Sequence, residues 1–415
     1  MPAAPSFQSD FLRNFAARGA YYDCSAPADL DALFAKERVT AYIGFDCTAD
    51  SLHVGSLVQL MTLRRLQQAG HRPILLMGGG TTKAGDPSGR DDTRLILTPE
   101  QIEANKQSIL GGIRHLLKFG DGPSDAILVD NAEWLDKLDY IPFLRDVGKH
   151  FSVNRMLTME SVKLRLEREQ PLSFLEFNYS IMQAYDFVEL YKRYGCKLQS
   201  SGSDQWGNVV SGIELGRRME SAQLFGLTTP LITTASGAKM GKTAAGAVWL
   251  NADRVSPYDY WQFWRNTEDR DVGRFLRLFT DMAESEIAQM EKLQGSELND
   301  AKKILASEAT AILHGRDAAD NAADTARQAF EEGASAQGLP TIVAGLPDGI
   351  LNLAVAAGLA ASNSEARKLI ANNGLRLNDA AVSDPKLTVD ASSLNSDGVL
   401  KLSSGKKKHV LVKPA

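Results

Sequence analysis

Residues 39–56 read VTAYIGFDCTADSLHVGS, and the fold depends on how this stretch divides. Val39, Ala41, Ile43 and Phe45 alternate with their neighbours, which is the two-residue period of a strand. The pattern breaks at Cys47 to Asp50, and a helix is expected over about 52–69, closed by Gly70. Outward from there, residues 73–77 (PILLM) form a short apolar run ending in three glycines, which reads as a buried parallel strand. Thr98 is a capping residue followed by Pro99 at the first helical position and Gln101 three residues on, so a helix opens there and runs to about residue 119. Residues 126–129 supply a third strand. Strand, helix, strand, helix, strand at this spacing predicts a parallel sheet with crossover helices, and ligands of such sheets lie beyond the strands' carboxyl ends. Chemistry is therefore expected in the loops after Asp46, Met77 and Leu198.

The rest of the chain sets the frame. Its 415 residues exceed one ordinary domain, so two or three compact units are expected. Hydrophobic residues at 44% and charged residues at 23% are ordinary globular values, and no apolar run reaches the ~18–20 residues of a membrane helix. The N-terminal stretch has neither an apolar signal core nor a cleavage pattern, so a cytoplasmic location is expected. Cys24, Cys47 and Cys196 lie far apart, which argues against a disulfide framework and against a zinc site. The net charge of −5 does not by itself call for nucleic acid, but residues 345–415 carry nine Lys+Arg against six Asp+Glu. A basic tail on an acidic body suggests a polyanion as the tail's partner. Beyond Ser256 the pattern is helical to about residue 330, and a Gly/Ala/Pro-rich stretch then separates a small terminal domain of short helices and strands.

Four motifs bear chemistry. His53-Val54-Gly55-Ser56 follows the first strand at a helix N-terminus, where free N–H groups favour phosphate; the alternative is a surface histidine in a first turn. Gly237-Ala238-Lys239-Met240-Gly241-Lys242-Thr243 is not a P-loop, because three residues rather than four separate its glycines. Two lysines on a glycine-flanked loop can still hold charge over a triphosphate, or be a solvated loop. Tyr179, Gln183 and Asp186 share one face of a helix expected over 174–194 whose neighbours are apolar; the row suits a polar ligand, or water if that face is open. Ser201 to Asn208, after a strand at 196–199, and Gly85-Asp86-Pro87-Ser88-Gly89 are small and polar strand-end segments fit for hydrogen bonding, the latter also an ordinary turn sequence.

Taken in order, these segments resemble the class I aminoacyl-tRNA synthetases, with His53-Val54-Gly55-Ser56 in the place of the HIGH motif and Lys239-Met240-Gly241-Lys242-Thr243 in that of KMSKS. Tyr42 to Asp46, Gly85 to Ser88, Gln183 to Asp186 and Gly202 to Asn208 are similar to binding segments of the tyrosine-specific branch, and the likeness spans nearly the whole chain. The resemblance implies a Rossmann-like α/β catalytic domain over 1–230 with a subunit-contact insertion around 130–165. It further implies a KMSKS-like loop and α-helical anticodon-side domain over 231–335, a linker at 336–347 and an α+β S4-like RNA-binding domain over 348–415. The implied reaction joins L-tyrosine to the 3′-terminal ribose of tRNA(Tyr), with ATP and its Mg2+ as co-substrate and no metal held by the protein. A homodimer is implied through residues 143–151, and no membrane.

By the same similarity Tyr42 and Asp186 should bond the phenol, while Tyr179, Gln183 and Asp86 hold the α-amino group. Gly44, Asp46, Gly202, Asp204 and Gln205 should line the adenosine and carboxylate side, with Gly55 and Ser56 also at ATP. Thr48, His53, Lys239 and Lys242 should bind the polyphosphate. Arg367, Lys368 and Arg376 in the S4-like tail should face RNA, beside the bland cluster Lys406 to Lys408. Ser56 departs from the second His of HIGH, and Gly241 from the Ser of KMSKS. Ile43 leaves nucleotide contacts there to the backbone. A site built to bond a hydroxyl leaves polar groups unpaired when the hydroxyl is missing, so phenylalanine should be rejected without an editing domain. The rivals are a tryptophan-specific relative, a small-molecule adenylyltransferase, which would have no need of an RNA-binding tail, and a non-catalytic RNA-binding protein, against which His53, Lys239 and Lys242 all speak.

Overall fold

In the computed structural model Thr40–Phe45 is a central strand of a six-stranded sheet. The structure describes residues 5–88, 96–237, 240–243, 246–328, 339–395, 398–405 and 408–415. The strands are β1 (Asp23–Cys24), β2 (Thr40–Phe45), β3 (Arg72–Met77), β4 (Ile127–Asp130), β5 (Leu198–Gly202) and β6 (Phe225–Thr229), in the order β1-β6-β5-β2-β3-β4. All neighbours run parallel except β1, which pairs with β6 antiparallel. Register sets Tyr42 opposite Ile74 on one side and Gln199 on the other. Ala41, Tyr42, Ile43 and Phe45 are all buried, so both faces of the strand are covered at its centre, and the Tyr42 face opens to solvent at Gly44 near its carboxyl end.

Helix α1 (Leu57–Gln68) links β2 to β3, and α2 (Pro99–Ile113) links β3 to β4. The expected helix at 52–69 starts later, after a 3-10 turn at Val54–Ser56. The capping box forms as read: Thr98 N–H donates to Gln101 Oε1 at 3.0 Å, and Gln101 N–H to Thr98 Oγ1 at 3.3 Å. The helix stops at Ile113 rather than 119 because the chain must turn into β4, and Ala126 N–H already bonds Lys118 O at 2.8 Å. The helix expected at 174–194 is two pieces, Phe174–Phe177 and α3 (Tyr179–Tyr194), meeting at Asn178. Helix α4 (Trp206–Glu220) packs along α3 and leads into β6.

By its internal contacts the chain forms two units, Met1–Arg254 with Glu268–Lys292, and Val255–Thr267 with Leu293–Ala415. The sheet lies in the first. In the second, helices Pro257–Arg265, Leu298–His314 and Arg316–Arg327 bury Tyr260 and Trp264, and Trp261 Nε1–H donates to Ser307 Oγ at 3.0 Å. Its terminal part is a five-stranded sheet with helices Ile350–Ala356 and Asn363–Ala371 closing over Leu353, Leu375, Leu400, Leu402 and Val412. Of the stretch 336–347 expected as a linker, Thr341–Ala344 instead pairs in parallel with residues 411–414, so it belongs to that sheet; 336–338 lie outside the described residues. Among the described residues no helix is long and apolar enough to cross a membrane.

Candidate functional site

Strands β3 and β4 extend from β2 in one direction, β5 and β6 in the other, so the sheet has its switch point between β2 and β5. Asp46 follows the carboxyl end of β2, and the turn Ser203–Gln205 that of β5. An open α/β sheet takes its ligand at this crevice.

The polar groups around it form two hydrogen-bonded sets. Asp186, on α3 and 2% exposed, accepts from Trp134 Nε1–H at Oδ1 (2.8 Å) and from Asn131 Nδ2–H at Oδ2 (2.9 Å). Asn131 also donates to Thr81 Oγ1 at 3.0 Å and accepts Gly80 N–H at 2.8 Å. The Thr81 hydroxyl donates to Asp46 Oδ1 at 2.8 Å, and Tyr179 Oη–H donates to Asp46 Oδ2 at 3.0 Å. Further along, Gln205 Nε2–H donates to Asp86 Oδ2 at 2.7 Å, while Ser88 N–H donates to Asp86 Oδ1 at 2.8 Å. Thus Asp46, Tyr179 and Asp186, distant in sequence, share one hydrogen-bonded network, and the Asp86–Gln205 pair lies near enough for the Asp86 charge to act on Tyr179.

Gly78 makes part of this possible. A Cβ there would run into Asp46 Oδ1 and Thr81 Oγ1, so only glycine lets the exit of β3 cross that of β2.

Tyr42 is 1% exposed, packs edge-on against Phe187 with centroids 5.2 Å apart, and its hydroxyl has no hydrogen-bond partner among the described residues. Buried hydroxyls are rarely left so, and the absent partner is what a bound ligand would supply. Burial, and then the charge of Asp186, push the Tyr42 phenol well above its ordinary value. Tyr179 is raised too, by burial first and then by Asp46 and Asp86. Burial pushes Asp186 up to about 8; the Asn131 and Trp134 donors pull it down, while Asp46 and Asp130 raise it further. Gln183, on the same face of α3, is half-buried, and its Oε1 has no partner among the described residues.

A second cluster lies at the start of α1. His53 caps the 3-10 turn, its Nδ1 accepting Gly55 N–H at 2.9 Å, which leaves the proton of a neutral ring on Nε2 as a donor. Val54 N–H donates to Val248 O at 2.9 Å, Leu250 N–H to Leu52 O at 2.8 Å, and Val248 N–H to Gly241 O at 2.8 Å. The segment around Gly241 is thereby laid against His53-Val54-Gly55. Gly241 has φ +79°, and a Cβ on it would stand 3.1 Å from Gly55 N, so the residue that departs from KMSKS sits where a side chain fits badly. Gly55 and Ser56 are half-buried, and Ser56 makes no side-chain cap bond to α1. Thr48, Gly44 and Asp204 are exposed, and Gly202 is half-buried at the end of β5. Lys239 and Gly89 lie outside the described residues; of Lys242 only the backbone is described, in a short hairpin with Ala247. In the terminal part Arg367 and Lys368 on the helix and Arg376 on its neighbouring strand are all exposed, whereas Lys406 and Lys407 lie outside the described residues.

Sequence reasoning missed Thr81, Asn131 and Trp134. The signal for Asn131 was available, since it stands just after a strand whose carboxyl end borders the same crevice.

Comparison with known proteins adds independent findings. Residues 35–331 match the family model of class I tRNA synthetases (W and Y), and residues 330–412 that of the tyrosine–tRNA ligase SYY-like C-terminal domain. The chain is 62% identical over 417 residues to a tyrosine–tRNA ligase of Bradyrhizobium diazoefficiens, covering 99% of this chain and 100% of that protein. It is likewise 62% identical over 416 residues to that of Rhodopseudomonas palustris, again covering 99% and 100%. Among solved structures it is similar to a C-terminally truncated mitochondrial tyrosyl-tRNA synthetase of Aspergillus nidulans, with a TM-score of 0.70, 31% identity and coverage of 78% of this chain and 95% of that one.

Proposed function

The chain belongs to the class I tRNA synthetases, in the tyrosine–tRNA ligase family, and from that premise we propose how its residues divide the work. The enzyme activates L-tyrosine with ATP to tyrosyl-adenylate and pyrophosphate, then transfers tyrosine to the 3′-terminal ribose of tRNA(Tyr). In the first step a tyrosine carboxylate oxygen forms a bond to the α-phosphorus as the bond to pyrophosphate breaks. In the second, a ribose hydroxyl attacks the carbonyl carbon and AMP leaves.

The phenol enters between Tyr42 and Asp186. The observation that carries this reading is the buried Tyr42 hydroxyl without a partner, close enough to Asp186 to feel its charge, while Asn131 and Trp134 hold the carboxylate from behind. Tyr179, Gln183 and Asp86 take the α-amino group, with Gln205 next to Asp86. Gly44, Asp46, Gly202 and Asp204 border the nucleotide, and Asp46 joins the two halves through its bond from Tyr179. His53, with Gly55, Ser56 and Thr48, meets the phosphates at the turn before α1, its Nε2–H offered as donor at the positive end of the helix dipole. Lys239 and Lys242 supply positive charge to the pentavalent phosphorus as charge builds on its oxygens. No covalent enzyme intermediate is required, because orientation and charge stabilisation lower the barrier. ATP brings Mg2+ with its phosphates.

Arg367, Lys368 and Arg376 form an exposed cationic face on the terminal part suited to RNA phosphates. The terminal part follows the helical, anticodon-side region, and the enzyme works in the cytoplasm as a homodimer. Support for the dimer is a stretch of exposed apolar side chains, Tyr140 (61% exposed), Ile141 (68%) and Val153 (59%), flanking residues 143–151, since such patches mark association surfaces. The test of the whole reading is ATP–pyrophosphate exchange with each of the twenty amino acids. Tyrosine alone should sustain full exchange; exchange driven equally by tryptophan or phenylalanine would overturn the assignment of the pocket.

A further inference from the structure

Trp134 is gripped from two sides. Its Nε1–H donates to Asp186, and over its ring lies the Arg193 guanidinium, 5.0 Å from the ring centroid. We propose that Arg193 is a positioning residue for tyrosine recognition, acting through Trp134 on the carboxylate that meets the phenol. The inference rests on the reading of Asp186 given above.

Three observations carry it. First, Trp134 sits on the four-residue helix Ala132–Leu135, far too short to hold its own shape, so the ring's orientation must come from tertiary contacts. Second, Arg193 is itself fixed: Nε–H donates to Glu189 Oε2 at 2.9 Å, and Glu133 Oε2 lies 3.8 Å from Nη1. Glu189 is nearly buried and bonded to the Tyr185 hydroxyl, so the guanidinium has a rigid backing. Third, Asp186 and Arg193 lie seven residues apart on α3 and therefore share a face, with the indole bridging the two turns between them. Were Arg193 only one half of a surface ion pair, an i,i+4 bond to Glu189 would account for it and the indole would not matter. The stacking sets it apart. A cation over an indole is attracted to the ring's electron-rich face, which holds the ring plane while the Nε1–H bond to Asp186 sets the direction of its edge. Arg193 touches no reacting atom; its effect is confined to how well a phenol is received.

The test is steady-state pyrophosphate exchange on the full-length chain carrying Arg193→Ala, Arg193→Lys, Trp134→Phe, the Arg193→Ala/Trp134→Phe pair and Asp186→Asn, with melting temperature as the control for folding. Arg193→Ala should raise the KM for tyrosine about three-fold, the size of a partly exposed cation–π contact, without changing the KM for ATP or kcat. Arg193→Lys should recover most of that change, because an ammonium over the ring keeps the attraction. In the Trp134→Phe background the loss of Arg193 should have no further effect on the tyrosine KM, the mark of two residues acting as one. The proposal is overturned if the KM values for tyrosine and ATP rise together, if lysine rescues nothing, or if the Arg193 effect persists at full size without the indole. Asp186→Asn separates the two levels. An unchanged tyrosine KM there removes the underlying reading of the pocket, whereas a raised KM with a silent Arg193→Ala removes only this proposal.

Discussion

Gly241 and Gly55 meet backbone to backbone: a Cβ on Gly241 would lie 3.1 Å from Gly55 N, and Gly241 holds φ +79°. The loop that carries the paired lysines is thus docked on the turn that carries His53 through a contact that side chains do not fit. Gly241→Ala adds both a left-handed alanine, which costs about 1–2 kcal/mol, and a close contact. Pyrophosphate exchange at saturating tyrosine should fall about ten-fold, while equilibrium tyrosine binding, proposed for the other end of the crevice, should stay within a factor of two. Rapid-quench exchange and fluorescence titration check the two halves.

Tyr42→Phe removes one hydroxyl from the end of the pocket proposed for the phenol. A neutral hydrogen bond contributes about 0.5–1.5 kcal/mol, so the KM for tyrosine should rise up to about ten-fold. The KM for phenylalanine should stay level or fall, because a buried hydroxyl no longer goes unpaired when the substrate lacks one. Exchange assays with both amino acids measure the narrowed preference.

Asp186 predicts a proton count. Pushed up to about 8, the Asp186 carboxyl is mostly protonated at pH 6.5, and the groups around it are Asn131, Trp134, Asp46, Asp130 and Tyr42. Accepting a phenol O–H favours the ionised form, so tyrosine binding at pH 6.5 should release close to one proton, and at pH 9 almost none. Calorimetry in two buffers of different ionisation enthalpy reads the number directly, and Asp186→Asn should abolish it. The same shift acts on stability. The folded chain holds a proton that the unfolded chain loses near pH 4, so this group's contribution to stability falls as pH rises from about 4 to about 8 and is level above. Asp186→Asn should flatten that limb in thermal melts.

Arg367, Lys368 and Arg376, replaced together by alanine, should raise the KM for tRNA and weaken its salt dependence by about two to three in the slope of log K against log salt. Tyrosine-dependent pyrophosphate exchange should not change. Filter binding across a salt series distinguishes this from misfolding.

The parallel sheet and its crossover helices were legible because such a sheet needs continuous apolar runs with crossovers between them, and 39–46, 73–77 and the capping box at Thr98 all carry that pattern; the spatial order of the strands and the pairing of 23–24 with 225–229 were not. Tyr179, Gln183 and Asp186 could be grouped because helical period alone puts them on one face. Asn131 was legible from its place just after β4 but was passed over, while Trp134 and Thr81 were hidden for a different reason. Their roles are to hold Asp186 and Asp46 in place, and such contacts depend on which strand ends are adjacent in space, which spacing along one chain does not encode. The helix at 99–113 ended early for a similar cause, since the turn into β4 is imposed by the pairing of Lys118 with Ala126. The strand at Thr341–Ala344 reads as linker because only two of its four residues are even partly buried, and its pairing partner lies some seventy residues downstream.

A crystal structure of the enzyme with L-tyrosine alone would test the central claim most directly. The phenolic oxygen should lie within about 2.6–3.2 Å of both Tyr42 Oη and an Asp186 carboxylate oxygen, with Trp134 and Asn131 still bonded to that carboxylate. Tyrosine bound with its phenol elsewhere, and Tyr42 Oη still without a partner, would contradict it.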